Sequence, residues 1–215
     1  TRQKKTWGPT DETGTVVWHR DILDVDLTTG EWLILARTNF IANRIATTLK
    51  EQGFLFWREG SGWSISPNVL TGIEVWLKLC KDQERCAQEL KKFSQLLTTS
   101  VITKAGKKLL ASLDPEKTYR LTDIQDLCSL SATPETPWYD VLRVSENERI
   151  YITSVRRMGE SILTGTPRIK ISTIHKAKGG EADNVALLLD SSRACAQSDD
   201  QDSELRTFYV GLTRA

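Results

Sequence analysis

The sequence predicts an α/β fold: a parallel sheet domain split by a long helical insertion. Three observations point there. Two apolar runs, Trp32–Ala36 and Phe54–Trp57, flank one amphipathic helix. A long stretch from Ser66 to about Leu163 keeps helical periodicity. Strand-like runs then return at Arg168–Ser172 and Val185–Leu189. Strands alternating with helices are the pattern of a parallel sheet, because each crossover needs an element to cover the sheet face.

In chain order, residues 1–30 are polar and turn-rich, with one apolar patch at Val16-Val17-Trp18. Trp32-Leu33-Ile34-Leu35-Ala36 is a continuous apolar run, as expected of a buried strand. Thr38 or Asn39 is suited to cap the helix that follows. Ile41, Ile45 and Leu49 recur at i, i+4 and i+8, and Gly53 is placed to end that helix as its C′ residue. Phe54-Leu55-Phe56-Trp57 reads as a second strand, completing a β-α-β unit. The pattern changes at Gly60-Ser61-Gly62. Trp76, Leu79, Cys86, Leu90, Phe93 and Leu97 then form a heptad-like stripe broken only by Gln83. Tyr151, Val155, Met158 and Ile162 form a second stripe, and Thr133–Pro137 a turn between the two. Both stripes read as helix-packing core. Asp199–Glu204 is an acidic loop or helix start, followed by an amphipathic segment from Leu205 to Ala215.

Composition narrows the function classes. In 215 residues, 29 Lys and Arg stand against 28 Asp and Glu, a formal net charge of +1. That excludes nucleic-acid or membrane binding by a uniformly basic surface, so any polyanion must be held by a few placed residues. No apolar run reaches the ~20 residues needed to cross a bilayer, and Thr1–Trp7 has no signal-peptide core. Cys80, Cys86, Cys128 and Cys195 form no C-x-x-C, and neither His19 nor His175 lies close to any of them in sequence. No zinc site or disulfide is expected, and reduced thiols fit a cytoplasmic location. The absent initiator Met, and an end inside Thr213-Arg214-Ala215, suggest part of a longer polypeptide.

The chain lacks a P-loop. Gly106-Lys107 is followed by Lys108 and has no upstream Gly in register, whereas G-x-x-x-x-G-K-[ST] needs amides, a Lys and a hydroxyl converging on phosphate. Val185–Leu189 ending at Asp190 looks superficially like a Walker B strand, but without a P-loop it reads as a core strand. There is no G-x-S-x-G elbow for a hydrolase triad. The informative segment is Ser172–Glu181, which packs hydroxyls, an imidazole, two ammonium groups, paired glycines and a carboxylate after a predicted strand. Glycines permit close backbone approach to a ligand, and open parallel sheets place ligand sites at strand ends. The segment is therefore a candidate anion site.

Thr173-Ile174-His175-Lys176-Ala177-Lys178-Gly179-Gly180-Glu181 resembles the T-h-H-x-x-K-G-x-E motif of UvrD/Rep-type superfamily 1 DNA helicases. Tyr209-Val210-Gly211-Leu212-Thr213-Arg214-Ala215 resembles their Y-V-G-[VL]-T-R-A motif, and Ala36-Arg37-Thr38-Asn39 their R-T-N segment. One departure is Gly180, where the family commonly has a bulky aliphatic residue; another is a short insertion.

The resemblance implies a RecA-like (P-loop NTPase-type) second motor domain at residues 1–60 and 166–215, with a helical inserted subdomain at 61–165. It implies Arg214 as the arginine finger at the γ-phosphate of ATP, Glu181 at the ribose, and Gly179 at the triphosphate. It implies Arg37, Asn39 and His175, with Thr173 as the weaker candidate, on single-stranded DNA. ATP with Mg²⁺ would be bound mainly by the first motor domain of the same polypeptide, which this sequence does not contain, so these residues alone should not hydrolyse ATP. No metal ligand set and no membrane partner are expected. Two other readings fit the same residues: a nucleic-acid-binding module without a motor, and an ATPase switch in a helicase–nuclease complex.

Overall fold

The structure, a computed structural model, describes residues 14–159, 167–177, 180–191, 195 and 200–214. It is mixed α/β, with eight α-helices among the described residues, and divides into two compact units, residues 1–45 with 168–215 and residues 46–167.

The first unit is built on three parallel strands in the order β6-β1-β7. Strand β1 (Trp32–Ala36) pairs with β6 (Ile169–Thr173) from Trp32↔Ile169 to Ala36↔Thr173, and with β7 (Asn184–Leu187) from Trp32↔Asn184 to Leu35↔Leu187. Ladder amides continue past both strand ends, Ile174 N–H donating to Ala36 O and Leu188 N–H to Leu35 O. Ile34, Leu35 and Ala36 are fully buried, as a central strand covered on both faces requires. Val185–Leu189 is expected to be buried, but Val185–Leu187 are only half-buried in β7, which lies at the end of the strand order, and Leu189 beyond it is exposed.

Helix α8 (Gln201–Leu212) packs on β7. It takes in the acidic stretch because Asp200 caps it, its carboxylate accepting Ser203 N–H at 2.9 Å. Its inner side joins Phe208 and Val210 to Leu33, Leu35, Ile174 and Leu187.

Helix α1 (Asn39–Glu51) follows β1, and the division between the units falls within it. The choice of cap is settled in favour of Thr38, whose hydroxyl accepts Ile41 N–H at 3.3 Å; Asn39 is the first helical residue. Gly53 closes the helix at φ +80°, with Gly53 N–H donating to Lys50 O and Phe54 N–H to Leu49 O. This is the paired-bond ending that only a left-handed residue allows.

In the second unit the expected strand at Phe54–Trp57 starts later. Strand β2 is Trp57–Arg58, in an antiparallel hairpin with β3 (Gly62–Trp63). Leu55 and Phe56 are buried instead as core, and Phe56 exchanges backbone and hydroxyl bonds with Ser64. The heptad-like stripe is also divided. Helix α2 (Pro67–Cys80) ends at a turn where Asp82 takes φ 56°, and after β4 (Arg85–Cys86) helix α3 (Ala87–Leu96) begins. A left-handed residue reverses the chain, so the stripe belongs to two packed helices, with Trp76 and Phe93 stacked at 6.5 Å between ring centroids.

Helix α4 (Lys104–Ala111), strand β5 (Thr118–Tyr119), paired with β4, and helices α5 (Leu121–Cys128), α6 (Trp138–Val141) and α7 (Glu146–Arg157) complete the unit. Tyr151 and Val155 are buried on α7, whereas Met158 is exposed just beyond it. Ile162 lies outside the described residues.

Candidate functional site

Parallel pairing sorts the motif residues onto two edges of the first unit's sheet. At the C-terminal edge, Arg37 follows β1 directly, and Thr173 ends β6 opposite Ala36. Thr173 is buried; its carbonyl accepts the amides of Lys176 and Ala177, forming the turn that leaves His175 exposed. Asn39 is exposed on the first turn of α1. The sheet thus brings Arg37, Asn39 and His175 to one edge.

A further residue joins them. Glu204, on the first turns of α8, accepts Arg37 Nε–H at 2.7 Å and Nη2–H at 2.6 Å, a two-bond fork with both side chains under one-fifth exposed. The Arg37 hydrogen bonds lower the Glu204 carboxyl below the usual carboxylate range, and the neighbouring His175 acts in the same direction. Arg37 in turn is held more firmly protonated by Glu204. Sequence reasoning missed Glu204 because the pair spans 167 positions. A lone carboxylate in an acidic helix start carries no signal of its own.

At the opposite edge, residues 180–183 lead into the start of β7. Ala182 N–H donates to Arg214 O at 3.1 Å. This places Arg214 beside the residue that follows Glu181, although 32 positions separate Ala182 from Arg214. Glu181 is exposed. The Arg214 side chain folds back along its own helix, Nε–H donating to Val210 O at 3.1 Å, an acceptor that Thr213 Oγ1 also uses. Gly180 continues the turn, N–H to Ala177 O at 2.9 Å. A Cβ there would meet only that carbonyl at 3.4 Å, so the departure from an aliphatic residue leaves space and no strain. Gly179 lies outside the described residues.

Helix α8 connects the two edges, with Glu204 near its start and Arg214 just past its end. Its close seating depends on Gly211, where an added Cβ would stand 2.8 Å from Leu187 Cδ1. In the Y-V-G-L-T-R-A stretch the glycine is therefore a packing requirement of the helix that presents Arg214.

The family model for the UvrD-like helicase C-terminal domain matches residues 64–215. The chain belongs to that family. The matched range of this UvrD-like domain holds Thr173, His175, Glu181, Glu204 and Arg214, while Arg37 and Asn39 precede it. Among curated proteins none matches the chain. Among the described residues no helix is long and apolar enough to cross a membrane. Nor do the described residues include a group of three or more His, Cys, Asp or Glu that could hold a metal ion.

Proposed function

We propose that this chain is the second motor half of an ATP-dependent DNA helicase or translocase, supplying the arginine finger and part of a single-stranded DNA track. The observation that carries the reading is the Ala182–Arg214 backbone bond, which brings the Arg214 main chain next to the residue after Glu181 at one sheet edge. The Arg37, Asn39 and His175 cluster lies at the other edge. A motor needs this separation, because nucleotide and DNA must be held at once without sharing residues.

In this reading Arg214 leaves the Val210 carbonyl and meets the γ-phosphate. Phosphoryl transfer gathers charge on the equatorial oxygens, and a guanidinium fork there is worth about 10³–10⁵ in rate. Glu181 accepts from the ribose hydroxyls, and Gly179 gives the triphosphate room. In this reading Mg²⁺ and most of the triphosphate are held by a first motor domain of the same polypeptide. Leu205, Tyr209 and Leu212, exposed at helical spacing on α8, fit a face that such a domain covers. Arg37, Asn39 and His175 grip the strand by phosphate contact and base stacking, a sequence-tolerant mode, with Thr173 supporting the His175 turn.

In the intact protein, Arg214→Ala is expected to abolish DNA-stimulated ATP hydrolysis and leave single-strand affinity nearly unchanged; normal turnover refutes the finger. Arg37→Ala or His175→Ala should weaken single-strand binding and uncouple translocation from hydrolysis. The 215 residues alone should hydrolyse no ATP above background. An intact protein that binds DNA with no ATPase would instead be a binding module.

A further inference from the structure

Resting on the DNA-track reading of Arg37, we infer that Glu204 is a positioning residue for that grip. Arginine offers five N–H donors around a planar fork, with two edges able to meet an anion by paired bonds. Glu204 takes the side edge, Nε and Nη2. That contact leaves the end edge, Nη1 with the second Nη2 hydrogen, as a fork of the shape that suits a phosphate. A carboxylate on one edge and a phosphate on the other fix the same guanidinium plane. The pair also anchors Arg37 to α8, the helix that leads to Arg214.

The two roles open to a carboxylate beside a phosphate-binding arginine have opposite signs. A competitor for the guanidinium weakens DNA binding, so removing it tightens the complex. A positioning residue orders the side chain before DNA arrives, so removing it loosens the complex. The geometry favours positioning, because both bonds are short, lie on one edge and are less than one-fifth exposed. Holding a long side chain in advance saves the ordering cost of one immobilised side chain, which converts to about 2- to 12-fold in Kd.

The test is single-strand affinity of the intact protein for a labelled oligothymidylate, measured by fluorescence anisotropy for Glu204→Gln, Glu204→Asp, Arg37→Ala and the double variant Arg37→Ala with Glu204→Gln. Glu204→Gln is expected to raise Kd about 2- to 12-fold. Glu204→Asp, which keeps the charge but shortens the reach, is expected to raise it in the same direction and serves if the Gln variant does not fold. In the Arg37→Ala background Glu204→Gln should cause no further weakening, a result that a general loss of fold would not give. If Arg37→Ala weakens binding while Glu204→Gln tightens it or leaves it unchanged, the positioning role is overturned and the track reading stands. If Arg37→Ala itself changes nothing, both fall.

Discussion

Gly211 tests the seating of α8 most directly. Its Cα faces β7 so closely that an added Cβ would lie 2.8 Å from Leu187 Cδ1, 3.4 Å from Cδ2 and 3.6 Å from Ile174 Cγ1. Two effects oppose each other in Gly211→Ala. The helix gains at most about 1 kcal/mol from replacing glycine, and less here because Gly211 lies in its last turn. Overpacking costs about 1–3 kcal/mol, at the low end here because the nearest atom is the free end of a half-buried leucine. The alanine variant should therefore stay within about 1 kcal/mol of the parent. Gly211→Val adds two branched methyls in the same gap and gains little helix propensity, so the upper part of that range applies. A loss of about 2–3 kcal/mol corresponds to roughly 30- to 150-fold more frequent opening of the helix. Hydrogen exchange of the amides in α8 and β7, read peptide by peptide, gives that ratio directly. DNA-stimulated ATPase in the intact protein should fall with it, because Arg214 is carried by the displaced helix. Native protection in Gly211→Val would refute the close approach of α8 to β7.

The remaining predictions concern other positions. Gly106→Ala should destabilise the second unit by about 2 kcal/mol or more, since the new Cβ would meet the Cys128 carbonyl at 2.2 Å and a backbone atom cannot swing away; denaturant unfolding measures it. Thr38→Ala removes the hydroxyl that accepts Ile41 N–H and should cost about 1 kcal/mol by the same assay. The Glu204 carboxyl is held low by Arg37, so its contribution to stability is complete above the ordinary carboxylate range and is lost as pH falls through its depressed folded value. Thermal unfolding between neutral and strongly acid pH should therefore show a smaller acid loss in Glu204→Gln than in the parent; equal losses would refute the pairing.

Short-range signals were legible in the sequence where local chemistry decides the structure. Trp32–Ala36 is a strand because it is continuously apolar, and Gly53 ends α1 because a left-handed residue is needed there. The sequence did not reveal what depends on distant partners. Whether Phe54 or Trp57 begins a strand turns on pairing with β3. The stripe from Trp76 to Leu97 kept a heptad spacing across a chain reversal, because two packed helices bury the same residue types as one long one. In β7, apolar residues are only half-buried because burial follows strand order, which composition does not encode. At the candidate site, motif resemblance selected Arg37, His175, Glu181 and Arg214, but only folding shows that they divide between two edges. Glu204 emerges only with the geometry of its pair.

Helix α8 is tied down near both ends, by the Glu204 carboxylate at one and through the Arg214 carbonyl at the other. Its 12 residues make a rod of about 18 Å. A rigid rod of that length has no slack: a tilt of about 10° about one tether moves the other by roughly 3 Å, about the length of a hydrogen bond. A tilt that keeps one tether therefore breaks the other. Their order in time becomes a property of leverage, set by how many turns of helix lie between them. Lengthening α8 by one turn would set the tethers about 5.4 Å further apart, so the two could no longer be made together.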